Sequence, residues 1–294
     1  MFKREFDRHG GNNLFSPSTM TLSRRHFLCS AVAVPLTLPL LSRFSIADEA
    51  SVKFQLGLAS YTFRKFSRAE TIAAAKKIGL NHLCLKDFHL PLSATDEECA
   101  VAAAECRAAG ITLYGCGVVG MNKPEDVENA FRYAKAAGMT TIIGVPKPEL
   151  LPLVEEKVKA TNIAVAIHNH GPGDKVYPTP ESIYEKVKDF DKRIGICNDI
   201  GHTERYGVDG VESILKYGHR TLDMHFRDIT EKTEKGQCCV CGKGVLDLAG
   251  YVNALKEIGY DRIVSFEYEA DESDPLPGLT KSVEYIRKLI GHNS

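Results

Sequence analysis

Tryptophan is absent from this chain of 294 residues, an absence that carries little information by itself. The absence of a dominant charge sign says more. Lys and Arg total 37, Asp and Glu total 38, and the formal net charge is −1. That balance gives no basic face for a nucleic acid and no charged tail. Beyond residue 50 there is no apolar run of the roughly 20 residues that a membrane helix needs. Cysteine is too sparse for a disulfide framework, with nine in the whole chain. Cys84, Cys116 and Cys197 lie inside apolar strand-like runs and read as buried thiols. Cys238, Cys239 and Cys241 cluster in a glycine-rich loop without a second ligand pair at zinc-finger spacing, and a metal or redox role there stays open. Hydrophobic residues at 44% and charged residues at 26% describe a globular chain, which excludes disordered, collagen-like and coiled-coil classes.

The N-terminus has its own pattern. Arg24 and Arg25 precede Phe27 and Leu28, an apolar stretch runs from Leu28 to Leu41, and Ser45-Ile46-Ala47 follows. A basic region, a short apolar run and a small-x-small site read as a cleaved signal peptide; the run is too short for a stable membrane anchor. The arginine pair resembles the twin-arginine export signal, which implies a periplasmic or other extracytoplasmic location. An amphipathic or disordered segment is the alternative. Because 23 residues precede the Arg24–Arg25 pair, translation is expected to begin at Met20. The domains are therefore an extension and signal over 1–47 and a folded domain over 48–294.

Downstream, strand and helix patterns alternate eight times. Strands are expected at 54–61, 82–87, 111–117, 140–146, 163–170, 194–199, 221–228 and 263–269. Helices are expected near 68–78, 95–109, 124–137, 149–160, 180–189, 209–217, 246–258 and 279–290. Such alternation implies parallel strands with crossover helices. Gly79, Gly110, Gly138 and Gly259 each stand where a helix should stop. Eight such units in about 250 residues favour a single closed (β/α)8 TIM barrel, an α/β fold, over a doubly wound sheet.

Strand residues alternate faces. On the fifth strand Ile163, Val165 and Ile167 oppose Ala164, Ala166, His168 and His170. On the seventh, Leu222, Met224 and Phe226 oppose Thr221, Asp223, His225 and Arg227. On the eighth, Val264, Phe266 and Tyr268 oppose Ser265, Glu267 and Glu269. The bulky set should face the helices, and the other set the barrel axis, with its polar members at the C-terminal ends where barrel enzymes place their sites. His168, Asp199, His225 and Glu267 then sit at equivalent heights on four adjacent strands. Two imidazoles and two carboxylates suit one divalent ion, with Mn, Co, Zn or Fe favoured over an all-oxygen Mg site.

At these residues a family resemblance appears. Asp199-Ile200-Gly201-His202 resembles the D-x-G-H signature of the sugar phosphate isomerase/epimerase family, the xylose isomerase-like barrels. His225-Phe226-Arg227-Asp228 resembles that family's H-x-K-D segment, and Ser265-Phe266-Glu267-Tyr268-Glu269 its terminal glutamate strand. Gly242-Lys243-Gly244 fits a glycine turn found there. The resemblance covers about residues 54–290 and implies Asp199, His225 and Glu267 as metal ligands and His202 as a substrate-binding residue beside the metal. The family commonly has Glu-Asn-His where this chain has His168-Asn169-His170. One of the two proton-shuttling glutamates of the ketose epimerases is thereby missing. With neutral imidazoles and two carboxylates, the formal site charge is 0 rather than −1, which makes the ion a stronger Lewis acid. His168 is read as a ligand, with the role of base as the alternative.

The chemistry that fits is proton abstraction beside a carbonyl, with an enediolate held by the metal. Glu267 and Glu269 are the first candidates for the base, with His170 and His202 behind them. Lys86 should point inward and polarise a sugar oxygen, or else form a structural ion pair. His170 is expected to touch substrate, His89 to reach the substrate or the metal, and Arg227 to bind a substrate oxygen or orient Glu267. An isomerase or epimerase of sugars is the first reading. A keto-glycoside lyase or hydrolase acting by β-elimination is the second, favoured by export, because phosphorylated sugars are scarce outside the cytoplasm. A non-catalytic sugar-binding barrel is the third. The implied partner is a small sugar, keto-sugar or glycoside. Nothing in the sequence specifies an oligomeric state.

Overall fold

A computed structural model describes residues 52–291. The expected extension and export signal, residues 1–47, lie outside the described residues. In chain order the first half comprises β1 (Gln55–Ala59), α1 (Arg68–Ile78), β2 (His82–Leu85), α2 (Asp96–Ala108), β3 (Thr112–Met121), α3 (Pro124–Ala136), β4 (Thr141–Pro146) and α4 (Leu151–Thr161). The second half comprises β5 (Ala164–His168), α5 (Pro180–Val187), β6 (Ile194–Asp199), α6 (Ile200–Arg205), α7 (Gly210–Tyr217) and β7 (Thr221–Phe226). It continues with β8 (Asp228–Ile229), β9 (Cys238–Cys239), α8 (Leu248–Glu257), β10 (Ile263–Phe266) and α9 (Pro275–Leu289). Strands β1 to β7 and β10 close into a parallel barrel in the order β1-β10-β7-β6-β5-β4-β3-β2. The expected single TIM barrel is therefore the observed fold. Among the described residues, no helix is long and apolar enough to cross a membrane.

Local chemistry sets the element boundaries. Ser67 and Glu70 form a reciprocal capping box at the start of α1, and Thr95 and Glu98 do the same for α2. The four glycines expected to stop helices have φ of 74°, 79°, 68° and 64° at positions 79, 110, 138 and 259. This left-handed backbone costs an L side chain energy that glycine avoids. It turns the chain from helix into the next strand.

The two faces of the strands divide the core. Leu83, Val165, Ile167, Met224, Phe226, Val264 and Phe266 join the large cluster between barrel and helices. Cys84, Tyr114, Ile143, Ala164, Ala166 and Cys197 form a second cluster inside the barrel. Leu222 corrects the expected register. It packs with the inner cluster, at a place where β6 and β7 slip by one residue between Ile196 and Cys197. A bulge changes which side chain faces the axis, and nothing in a two-residue alternation announces it.

Several barrel strands end earlier than expected at the top, whereas β3 runs on past the expected residue 117 to Met121. β5 stops at His168, β7 at Phe226 and β10 at Phe266, so His170, Arg227 and Glu269 stand on loops. The Glu267 amide still donates to the Phe226 carbonyl at 3.1 Å, one rung beyond the strand. Two features of the top were not anticipated. Helix α6 starts immediately after β6, because Asp199 caps it: its Oδ1 accepts the His202 amide at 2.9 Å. The connection after β7 forms a small ribbon of β8 and β9. Buried Asp228 anchors that connection by accepting the amides of Ile229, Gly242, Gly244 and Leu246.

Candidate metal centre

The four residues singled out on consecutive barrel strands meet. His168, Asp199, His225 and Glu267 are all buried, and their ligand atoms lie within 4.8 Å of one another. His168 Nε2 is 3.1 Å from His225 Nδ1 and 3.6 Å from Asp199 Oδ2. His225 Nδ1 is 3.2 Å from Glu267 Oε2. Donor atoms held at about 2.0–2.2 Å around a tetrahedral ion would lie roughly 3.3–3.6 Å apart, so these spacings fit one ion. The other ring nitrogens, His168 Nδ1 and His225 Nε2, are buried without a hydrogen-bond partner among the described residues. Each imidazole therefore has its polar contacts only toward the cluster. The mixed N and O donor set suits a transition metal or zinc. The Cys197 thiol lies within the same reach of both imidazoles, a proximity that its reading as a bland core residue missed.

Charge around the cluster is balanced by Arg227. One guanidinium nitrogen bonds both Asp199 Oδ2 and Glu267 Oε2, and another bonds Glu269. Burial opposes ionisation of Asp199, but Arg227 and His202 outweigh it and hold the carboxyl well below its usual range. Glu267 is likewise lowered against burial, by His225 and Arg227. Burial dominates at His168 and pushes it down to about 3, so its imidazole is neutral. At His225 burial is outweighed by Glu267, Asp223 and Asp199, and the imidazole is pushed up to about 9. Asp223 sits below on the inner face, fully buried, and burial pushes its carboxyl up to about 7.

His202 and His170 connect the cluster to an open pocket. His202 Nε2 is 3.9 Å from Asp199 Oδ2, and the His170 ring stands 4.5 Å from that of His168. Both line a cavity of about 460 Å³ whose other walls include Arg205, Glu234 and Lys235. Arg205 follows His202 by three residues, one helical turn, a spacing that could have flagged it. Glu234 and Lys235 come from the loop between β8 and β9, where no sequence pattern marked them.

Two expected site residues are engaged elsewhere. His89 is buried, with Nδ1 2.8 Å from Ser60 Oγ and Nε2 within 3.2 Å of Thr71 Oγ1 and the Phe63 and Phe66 carbonyls. It ties the end of β1 to α1 instead of lining the pocket, because both ring nitrogens are already satisfied. Lys86 Nζ donates to the Val118 carbonyl at 2.8 Å and pairs with Asp87 at 3.4 Å, which is the structural ion pair. None of its bonds reaches the clustered residues.

An inosose dehydratase of Clostridium perfringens is 26% identical over 141 residues, which is 42% of this chain and 47% of that protein. The chain spans less than half the length of the curated relatives it matches, 37% and 47%. Among solved structures, the IOLI protein with a bound zinc atom has a TM-score of 0.68 at 16% identity, covering 81% of this chain and 98% of that one. The 3-keto-D-glucoside 4-epimerase of E. coli has a TM-score of 0.66 at 15% identity, covering 81% and 100%. At those identities the likeness is one of fold. Residues 72–289 match the xylose isomerase-like TIM barrel family, and the chain belongs to it.

Proposed function

We propose that this barrel is a divalent-metal-dependent enzyme of sugar isomerase or epimerase type, removing a proton from the carbon beside a carbonyl. One observation carries the reading: His168, Asp199, His225 and Glu267 converge from four adjacent strands with their ligand atoms inside one 4.8 Å cluster, beside an open cavity. These four residues would hold a divalent ion, which would supply Lewis acidity toward the carbonyl oxygen. Glu269, one-third exposed, is the carboxylate best able to take the proton, and Arg227 fixes its direction. Glu267 is held inside the cluster by Arg227 and His225. His170 and His202 contact the substrate from the wall of the open cavity.

A second reading is β-elimination from a keto-glycoside or related ketone. Neutral His168 at the end of β5 favours it, because the site then has fewer carboxylates to return a proton symmetrically. The inosose dehydratase relative is named for a dehydration, which is an elimination. Export through the twin-arginine segment, with a substrate met outside the cytoplasm, belongs to the same proposal.

The test is metal content and solvent deuterium exchange on protein expressed from Met20, comparing wild type with His168→Ala and Asp199→Ala. Near one transition metal per chain, lost in both variants, together with deuterium entering a keto-sugar beside its carbonyl, is the expected result. Deuterium entry accompanied by loss of the aglycone selects the elimination. Metal retained in His168→Ala moves His168 from ligand to base. Metal and sugar binding without exchange on any keto-sugar or keto-glycoside identifies a binding protein and overturns the enzyme.

A further inference from the structure

We propose that Arg205 fixes His202 as the Nε2–H tautomer, so that His202 donates a hydrogen bond to a substrate oxygen and takes no proton. His202 and Arg205 sit three residues apart on α6, on one side of the helix. A guanidinium nitrogen of Arg205 lies against His202 Nδ1 at 2.5 Å. Guanidinium has five N–H donors and no acceptor, and it stays charged in proteins. Nδ1 must therefore present its lone pair, and the imidazole proton stands on Nε2.

Nε2 stands 3.9 Å from Asp199 Oδ2, beyond hydrogen-bond reach, and so can turn its proton to a substrate. A doubly protonated ring would set an Nδ1–H against the Arg205 N–H, two donors in conflict. The ring therefore has neither nitrogen free to act as a base: Nδ1 is occupied and Nε2 already bears its proton. Arg205 is itself held, donating to the Gly236 carbonyl at 3.2 Å, and among the described residues it forms no ion pair with a carboxylate. Its charge is left beside His202 and the cavity both residues line. This removes His202 from the candidate bases and makes Arg205 its positioning residue. The hydrogen bond to substrate rests on the function proposed above, whereas the tautomer does not.

The experiment is long-range proton–nitrogen NMR on the full chain labelled with ¹⁵N-histidine and loaded with zinc, with His202→Gln assigning the ring. The expected spectrum, taken at one fixed pH, shows one His202 tautomer, protonated at Nε2 only. Arg205→Met should lose that single pattern, and Arg205→Lys, still a donor, should keep it. An Nδ1–H or a doubly protonated ring in wild type overturns the proposal, as does an unchanged pattern in a folded Arg205→Met protein. If Arg205→Met fails to fold by circular dichroism, the wild-type spectrum and Arg205→Lys decide. Where a keto-sugar is turned over, Arg205→Met should lower kcat by about tenfold or more through the lost donor. A correct tautomer with no turnover would refute the enzyme and leave the tautomer standing.

Discussion

Gly201 offers a sharp test of how tightly the cluster is held. A Cβ added there would stand 2.5 Å from Arg227 Cδ and 2.8 Å from Cγ. Carbon atoms in ordinary contact keep about 3.5–4.0 Å, so the arginine stem must move by roughly 1 Å. Arg227 cannot yield without cost, since it is buried and its guanidinium bonds Asp199, Glu267 and Glu269 together. Overpacking of this kind costs about 1–3 kcal/mol. If the guanidinium leaves its carboxylates, the loss approaches the ~3–5 kcal/mol of a broken buried pair. Gly201→Ala should therefore lower the melting temperature by roughly 2–12 °C in a domain of this size, and by more if the guanidinium leaves its carboxylates. Differential scanning calorimetry measures it, with Gly120→Ala as the control, since a Cβ there meets only Asn122 Nδ2 at 3.5 Å. Equal melting temperatures for the two variants would refute the claim that the Arg227 stem is fixed. The family motif then has a physical reading: its glycine makes room for the side chain that binds the neighbouring carboxylates.

Three further outcomes are expected. Tyr251→Phe removes a 2.9 Å hydrogen bond to buried Glu204 and should destabilise by roughly 1.5–3 kcal/mol in guanidinium titration. Ser67→Ala should cost about 1 kcal/mol by the same assay, because it opens the capping box of α1. Thiol labelling of the native protein should reach Cys239 before Cys84, Cys116 and Cys197. Burial pushes those three up, Cys116 to about 12, and hides them, so early labelling of Cys197 would contradict the closed barrel interior.

The barrel and much of its site were legible because they rest on short-range rules. Strand alternation placed Val165 and Ile167 outside, and Ala164, Ala166 and His168 inside, and glycine stops fell where the backbone turns left-handed. The convergence of His168, Asp199, His225 and Glu267 followed from strand order alone. What escaped depends on long-range partners. His89 looked like a mouth residue until Ser60, Phe63, Phe66 and Thr71, 18 to 29 residues away, claimed both its nitrogens. Leu222 turned inward through a register slip that no local pattern encodes. The role of Arg227 as common partner of three carboxylates needs the strands assembled. Helix α6 was readable in principle, since an aspartate directly before it is a preferred cap.

The Asp228 anchor divides the connection between β7 and α8 into two parts of different freedom. Its four amide bonds pin both ends of the segment to the barrel, at Ile229 and at Gly242 to Leu246. The tip between them contributes Glu234 and Lys235 to the cavity wall and carries no part of the barrel ladder. The tip is tied to α6 through the Arg205–Gly236 bond, so a change of its side chains reshapes the cavity wall and reaches His202, while the strands that present the four clustered residues keep their register.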